Sequence, residues 1–368
     1  AALVVEYERG PSRFVYDDWR TVLGFRVPFH VTSTYAGNTS ERRVVAVRPV
    51  AGTLADAYAV PPLPASDTTF DAARPAGLQV ARAAPYADGS PGHVFVRPQV
   101  DGRDAGWWNL DSGADGMAID AALADSLGLP VVGRTAVVGS DGRRREATIR
   151  RARTFTLGRL TFRGALLLAE DLSATTAPPG TRRGGAVGYP VFRRSVVEFA
   201  AGGDSVALYD PASYALRAGG RWAALRFIDQ TPAACAGMEG GRRGLYQLDT
   251  GNAGTVSFYG PYVARERLLA GRDTQGVTSA GTGGSFRTTE GTIEWFELAG
   301  RRWERPVVEF RTGGFSREGG AGVVGRQLLR AFTVVFDYPH RRVALLPADG
   351  SPAGEASVRS LERCENGG

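Results

Sequence analysis

The sequence predicts an all-β protein built from two duplicated β-barrel lobes, with only a few short helices. Short runs of β-branched and aromatic residues, such as "HVFVRPQV", "SVVEF" and "FTVVFDY", are separated by Gly, Pro and Asp, which is typical of strands. "DG" and "GG" pairs between the runs indicate hairpins. A set of landmarks in the first half also returns in the second half at a nearly constant spacing. That self-similarity indicates an internal duplication.

The duplication is clearest around two acidic triplets. The stretch "WWNLDSGADG" places Asp-Ser-Gly at residues 111–113, and "LYQLDTGNAG" places Asp-Thr-Gly at residues 249–251, which is 138 residues later. No other Asp-Ser/Thr-Gly occurs in the chain. Downstream, Gly188 and Gly325 are 137 residues apart, and so are Phe199 and Phe336. A shared register over this length predicts that each repeat folds in the same way.

The repeat sets the predicted domain boundaries. We expect residues 1–75 to form a β extension packed on the first lobe, residues 76–212 to form the first lobe and residues 213–368 the second. Helical periodicity is confined to segments that follow the triplets, "AIDAALADSLGL" and "YGPYVARERLLAG". Gly128 and Gly271 lie where these helices are expected to end.

Composition excludes several classes of protein. All 44 basic residues are Arg, so the chain lacks the Lys that a Walker-type phosphate loop or a Schiff-base enzyme requires. The net charge is +6, but the Arg residues are spread along the chain rather than gathered into a basic stripe, so we expect no nucleic-acid partner. Three His and two Cys are too few for a metal cage, so no metal site is predicted.

The two cysteines and the first residues bear on location. Cys235 and Cys364 either form one disulfide, in agreement with an oxidising compartment, or are two free thiols. The chain opens "AALVVEYERG" without a Met, which fits an exported protein that has lost a signal peptide, although a shortened chain would look the same. No run of 18 apolar residues occurs, so no membrane span is predicted. We expect a secreted, periplasmic or cell-surface protein.

The paired motifs resemble those of aspartic proteases of the pepsin and retroviral kind. The resemblance covers roughly residues 80 to 350 and rests on "LDSGAD" with "AVGYPVF" and on "LDTGNAG" with "VVGRQLL". It implies a bacterial-type, bilobal pepsin-like fold with two retroviral-like lobes in one chain. It also implies that Asp111 and Asp249 meet face to face as a catalytic dyad that hydrolyses polypeptides, without a cofactor and in a monomer.

The chemistry of such a pair follows from electrostatics. Two carboxylates about 3 Å apart, at an effective dielectric of about 20, repel by roughly 5 to 6 kcal/mol, or about four pK units. One proton must therefore be shared between Asp111 and Asp249. The ionised carboxylate can then accept a proton from water while the protonated one polarises the carbonyl of the peptide.

The resemblance implies supporting roles for the neighbours of each acid. Ser112 and Thr250 are expected to brace the lobes through their hydroxyls. Gly113 and Gly251 are expected to offer backbone N–H groups to the carboxylates. The segments of two further glycines are expected to pass behind the acidic turns, where a side chain would collide; they are Gly188 and Gly325.

Weaker expectations concern substrate contacts. Asp115 matches a position that holds the substrate backbone in retroviral-like enzymes, although a solvated turn residue is the alternative. The hairpin "VVGSDGRRREATI" lies where a flap closes over substrate, with Gly139 and Ser140 near its tip. It lacks the aromatic residue of pepsin-like flaps. Asn252 also replaces the Ala, Ser or Thr that is usual after the second triplet.

Two other functional classes were considered. A β-rich surface or assembly protein could keep the duplicated fold as a scaffold without catalysing anything, since a fold does not fix a function. A serine hydrolase is disfavoured because no G-x-S-x-G motif is present. An aspartic endopeptidase is therefore the leading hypothesis.

Overall fold

The computed structural model describes residues 5–9, 12–35, 38–47, 67–84, 92–139, 141–173, 175–203, 205–281, 284–311 and 319–364. The chain divides into two compact units, Ala1–Ala65 and Ser66–Gly368. The second unit contains both acidic triplets.

The first unit contains an antiparallel sheet in which each strand pairs with the next along the chain. Alternating apolar and polar residues, as in "RFVYDDW", produce these strands. The tight turn at residues 23–24 has positive φ at Leu23 and Gly24. The predicted packing of this segment on the first lobe stays a prediction. Its strands are β1 (Val5–Arg9), β2 (Ser12–Val22), β3 (Phe25–Tyr35) and β4 (Asn38–Arg43).

The second unit begins with the first repeat, whose strands are short and end at Gly, Pro or Asp. These strands are β5 (Thr68–Phe70), β6 (Val80–Arg82), β7 (Val94–Val96), β8 (Gln99–Val100), β9 (Arg103–Asp104), β10 (Trp107–Leu110), β11 (Ala118–Asp120), β12 (Val131–Val138), β13 (Arg144–Leu157), β14 (Leu160–Glu170), β15 (Arg183–Val187), β16 (Val196–Phe199) and β17 (Val206–Tyr209).

The second repeat follows in the same order and supplies the remaining strands. They are β18 (Ala223–Ala224), β19 (Arg226–Ile228), β20 (Thr231–Met238), β21 (Arg242–Leu248), β22 (Val256–Phe258), β23 (Thr274–Gly281), β24 (Gly284–Thr292), β25 (Trp295–Leu298), β26 (Arg301–Glu304), β27 (Val307–Phe310), β28 (Gly322–Val324), β29 (Phe332–Asp337) and β30 (Arg342–Pro347).

The two lobes share one strand arrangement. In the first, β10 runs parallel to β15, β15 is antiparallel to β11, and β11 is parallel to β14. In the second, β21 runs parallel to β28, β28 is antiparallel to β22, and β22 is parallel to β27. Because β10 and β21 are the strands that end at the two triplets, the same topology delivers each acid. The predicted all-β fold of two similar lobes is confirmed.

The helices are short and lie where strands end. They are α1 (Ala121–Ser126), α2 (Tyr189–Phe192), α3 (Gly260–Arg265), α4 (Arg326–Leu329) and α5 (Glu355–Glu362). Within the described ranges, no helix combines the length and the apolar character that crossing a membrane requires.

The helix predicted from "AIDAALADSLGL" is shorter than its periodicity suggested. Ile119 lies in β11, which pairs with β14 and β15, so hydrogen bonding within the sheet prevails over helical spacing there. The side chain of Asp120 then caps α1 by accepting from the Leu123 N–H. Gly128 and Gly271 follow the two predicted helices with positive φ of 68°, a conformation that glycine adopts without steric cost.

A central sheet joins the lobes in the strand order β17, β16, β29, β30, β18. Its middle is the antiparallel pairing of β16 with β29, in which Glu198 lies opposite Val335. These two residues are 137 apart and are equivalents in the repeat. A pseudo-twofold axis that relates the lobes therefore passes between them.

Aromatic side chains fill each lobe. Trp108 packs edge-on against Phe155 with ring centroids 5.6 Å apart, and Tyr246 packs edge-on against Phe296 at 5.3 Å. All four are fully buried. Trp108 and Tyr246 belong to the strands that precede the triplets, so the acids emerge from rigid, apolar strands.

The end of the chain is attached to the second lobe. Helix α5 packs against β18, β20 and β25, and a disulfide joins Cys364 to the buried Cys235 of β20. Arg226 donates to the backbone carbonyl of Glu362 at 2.8 Å. Of the two alternatives left open by the sequence, the structure has the disulfide.

Candidate active site

Each acid lies at the point where a buried strand ends. The Asp111 N–H donates to the Val187 carbonyl at 2.9 Å, and the Asp249 N–H donates to the Val324 carbonyl at 3.0 Å. Val187 and Val324 are themselves fully buried at the ends of β15 and β28. The backbone of each acid is therefore fixed by the strand parallel to its own.

The glycine of each triplet supports the carboxylate that precedes it. Gly113 N–H donates to Asp111 Oδ1 at 2.8 Å, and Gly251 N–H donates to Asp249 Oδ1 at the same distance. A hydrogen bond to one oxygen fixes the rotation of the carboxyl group. The other oxygen is thereby aimed consistently in both lobes.

The two acids face each other across the pseudo-twofold axis. A Cβ atom built on Gly113 would lie 2.5 Å from Cγ of Asp249, and one on Gly251 would overlap the Asp111 carboxyl. Each carboxyl group thus lies directly against the opposite turn. The two groups are also within hydrogen-bonding range of each other. Glycine is required here because any side chain would occupy the place of the opposing carboxylate.

Ser112 and Thr250 cross between the lobes. The Ser112 N–H donates to Thr250 Oγ1 at 3.0 Å, and the Thr250 N–H donates to Ser112 Oγ at 2.9 Å. The hydroxyls continue outward, Ser112 Oγ to the Leu248 carbonyl at 2.7 Å and Thr250 Oγ1 to the Leu110 carbonyl at 3.1 Å. Since both side chains are buried, these four hydrogen bonds fix the separation of the acidic turns.

Two further glycines make room behind the turns. A Cβ on Gly188 would overlap the carbonyls of Gly116 and Ala114, and one on Gly325 would lie 2.7 Å from the Asn252 side-chain oxygen. That Asn252 oxygen accepts from the Gly254 N–H at 2.8 Å. The unusual Asn is therefore a stabilising part of the second turn and lies beside the Gly325 segment rather than in front of the acid.

Burial and mutual repulsion raise the pKa values of both acids. Removal from water is the main cause for Asp111, and the charge of Asp249 adds to it, so its pKa rises to about 7. Burial also raises the pKa of Asp249, while the Gly251 N–H and the hydrogen bond to Asp111 oppose that rise. The proton shared by the pair is consequently held more tightly by Asp111.

Two hairpins extend from the lobes and meet at their ends. The β12–β13 hairpin contains Asp141, which receives two hydrogen bonds from Arg145, the shorter of 2.5 Å. A Cβ built on Gly284, in the β23–β24 hairpin of the other lobe, would lie 3.7 Å from both side chains. Each lobe therefore contributes a flap, and the two flaps touch.

The weaker expectations have mixed outcomes in position. Gly139 is buried in the first flap, where its N–H donates to the Arg143 carbonyl at 3.2 Å. Ser140 lies outside the described residues. Asp115 is exposed just beyond the first acidic turn and is close enough to Tyr338 to affect its pKa. Among the described residues, no three His, Cys, Asp or Glu side chains converge on one point as a metal site would require.

Sequence reasoning missed two residues beside the dyad. His93 Nε2 lies 2.8 Å from the Gly251 carbonyl oxygen, and Thr231 Oγ1 lies 3.2 Å from that of Gly113. His93 and Thr231 are 138 residues apart, the same spacing as the acids. The repeat register could have found them had it been extended upstream of the triplets.

Comparison with known proteins agrees with this geometry in part. A family model described as an aspartyl protease matches residues 96–191, a segment that contains the first acidic turn and Gly188. Comparison with curated proteins finds no match. The family match supports a protease of the aspartic class for a segment that is about a quarter of the chain.

Proposed function

We propose that the protein is an aspartic endopeptidase of the pepsin and retroviral kind, with Asp111 and Asp249 as its catalytic dyad and a polypeptide as its substrate. One observation carries the proposal. Two carboxyl groups on equivalent turns lie against each other's glycine, within hydrogen-bonding range, and burial makes double ionisation unfavourable.

The dyad has what peptide hydrolysis requires. Asp249 is the better acceptor because the Gly251 N–H stabilises its charge, so its carboxylate takes a proton from water as the water oxygen attacks the peptide carbonyl carbon. Asp111 gives its proton to the carbonyl oxygen, which yields a tetrahedral diol. The proton on Asp249 then passes to the peptide nitrogen, the C–N bond breaks, and Asp111 takes a proton back from the diol.

Features around the dyad favour a long, flexible substrate. The two flaps arise from separate lobes and meet at their ends, which is an arrangement suited to enclosing an extended chain. An extended peptide can form backbone hydrogen bonds with such hairpin edges. We infer that unfolded or loop segments of proteins, rather than small esters or sugars, are the substrates.

The disulfide supports an extracytoplasmic location. It joins residues 129 apart in sequence, and such a bond persists in oxidising compartments. We propose that the protein is secreted, periplasmic or on the cell surface. Thiol labelling of protein taken directly from its native cells tests this, because a cytoplasmic pool would label at Cys364 without prior reduction.

Cleavage of a denatured protein tests the activity. The wild type should cleave it, and Asp111→Asn and Asp249→Asn should each reduce the rate by several orders of magnitude. Asp171→Asn is the matched control, because Asp171 is an exposed carboxylate that caps its own turn through the Ser173 N–H. Full activity in either dyad variant would overturn the proposal. A folded wild type with neither cleavage nor affinity for a statine-type inhibitor would favour the scaffold alternative.

A further inference from the structure

His93 and Thr231 occupy equivalent places beside the two acids. In the first lobe, Val96 pairs with Trp108 and Phe95 with Asn109, so the continuing register places His93 opposite Asp111. In the second lobe, Ala233 pairs with Gln247, and the same continuation places Thr231 opposite Asp249. The two side chains thus extend from strands adjacent to the acids.

Both side chains reach across to the other lobe. His93 contacts the carbonyl of Gly251, and Thr231 donates to the carbonyl of Gly113. These glycines are the residues whose N–H groups fix the carboxylates. Each acid is therefore supported through a glycine that the opposite lobe restrains from its carbonyl side.

The surroundings of His93 favour a neutral ring. Burial lowers the pKa of His93, and the positive charges of Arg183 and Arg326 lower it further, while the bond to Gly251 and the charge of Asp111 oppose this. A neutral imidazole donates from only one nitrogen, and the Gly251 carbonyl can only accept. The ring therefore bears its hydrogen on Nε2.

We propose that His93 is a positioning residue for the reaction: its Nε2–H restrains Gly251 from the opposite lobe and so holds the Asp249 carboxylate in its working orientation. Thr231 does the same for Gly113 and Asp111. This inference rests on the proposed function and adds to it a role for two residues outside the acidic turns. The halves differ in one respect, because His93 can gain a charge and Thr231 cannot.

Steady-state kinetics with two substitutions test the role. His93→Leu has a similar volume but no donor, so kcat should fall by about tenfold or more while KM stays within about twofold. His93→Gln restores a donor at a similar reach and should recover most of the lost kcat. Wild-type kcat in His93→Leu, or no recovery in a folded His93→Gln, would overturn the proposal.

NMR of the histidine rings tests the same contact without any cleavage. The chain has three His, at positions 30, 93 and 340, so each ring signal can be assigned by comparison with His93→Gln. The His93 signals should show the Nε2–H tautomer at neutral pH. The His93 pKa should lie below 6.5 and fall further in Asp111→Asn, because a favourable negative charge is removed. An Nδ1–H tautomer, or a His93 pKa unaffected by Asp111→Asn, would refute the contact.

The two measurements separate the two ideas. A wild type that cleaves nothing but shows the expected His93 tautomer and coupling to Asp111 would sink the proposed function and leave the interlobe restraint standing. A protease whose His93 titrates independently of Asp111 would do the opposite.

Discussion

The strongest energetic prediction concerns the hydroxyl of Thr250. Thr250→Val has nearly the same shape but removes an oxygen that accepts from the Ser112 N–H and donates to the Leu110 carbonyl. Both of those groups are buried and would lose a partner. A buried polar group without a partner costs about 1–3 kcal/mol, so the free energy of unfolding should fall by about 2–6 kcal/mol. Typical domains have only about 5–15 kcal/mol in total.

Guanidinium unfolding of the two proteins measures that difference. Thr156→Val is the matched control, since the Thr156 hydroxyl is half-buried and contacts only the Thr161 hydroxyl at 3.0 Å among the printed hydrogen bonds. The control should lose less than about 1 kcal/mol. If Thr250→Val were no less stable than Thr156→Val, the crossed hydroxyls would not hold the lobes together.

Three other outcomes are expected. Asp111→Asn should increase stability at pH 7 more than at pH 4, because a carboxyl whose pKa rises to about 7 on folding stabilises the fold below about pH 4 and loses that contribution as the pH rises towards 7; equal gains in thermal unfolding at both pH values would contradict this. Gly325→Ala should lower the unfolding free energy by about 1–3 kcal/mol or more, since its Cβ would overlap the turn around Asn252, whereas a wild-type melting temperature would show that the turn yields freely. Tyr338→Phe should be neutral or stabilising by up to about 1 kcal/mol in the same assay, because its buried hydroxyl has no hydrogen-bond partner among the described residues; a large loss would reveal one.

The sequence was most informative where one pattern occurred twice. A single Asp-Ser-Gly is compatible with any turn, but the offset between Asp111 and Asp249 predicted equivalent environments. The structure places the two acids together at the ends of equivalent strands. The repeat works as a predictor because chain order and strand order are conserved between the lobes.

Other features depended on contacts that local patterns do not encode. Ile119 has helical spacing to its neighbours, yet two flanking strands recruit it into a sheet. His93 meets Gly251 across 158 residues of sequence, and a lone His beside an apolar run gives no sign of such a partner. The asymmetry between His93 and Thr231 became visible only once the lobes were superimposed in register.

The pairing of Glu198 with Val335 has an implication for assembly. Because these equivalents oppose each other in the central sheet, a polypeptide with only one repeat could satisfy the same strand edge with a second copy of itself. In such a homodimer both halves would be identical, and any change would strike the two acids at once. Fusion into one polypeptide removes that constraint, so that an ionisable ring can stand on one side and a simple alcohol on the other.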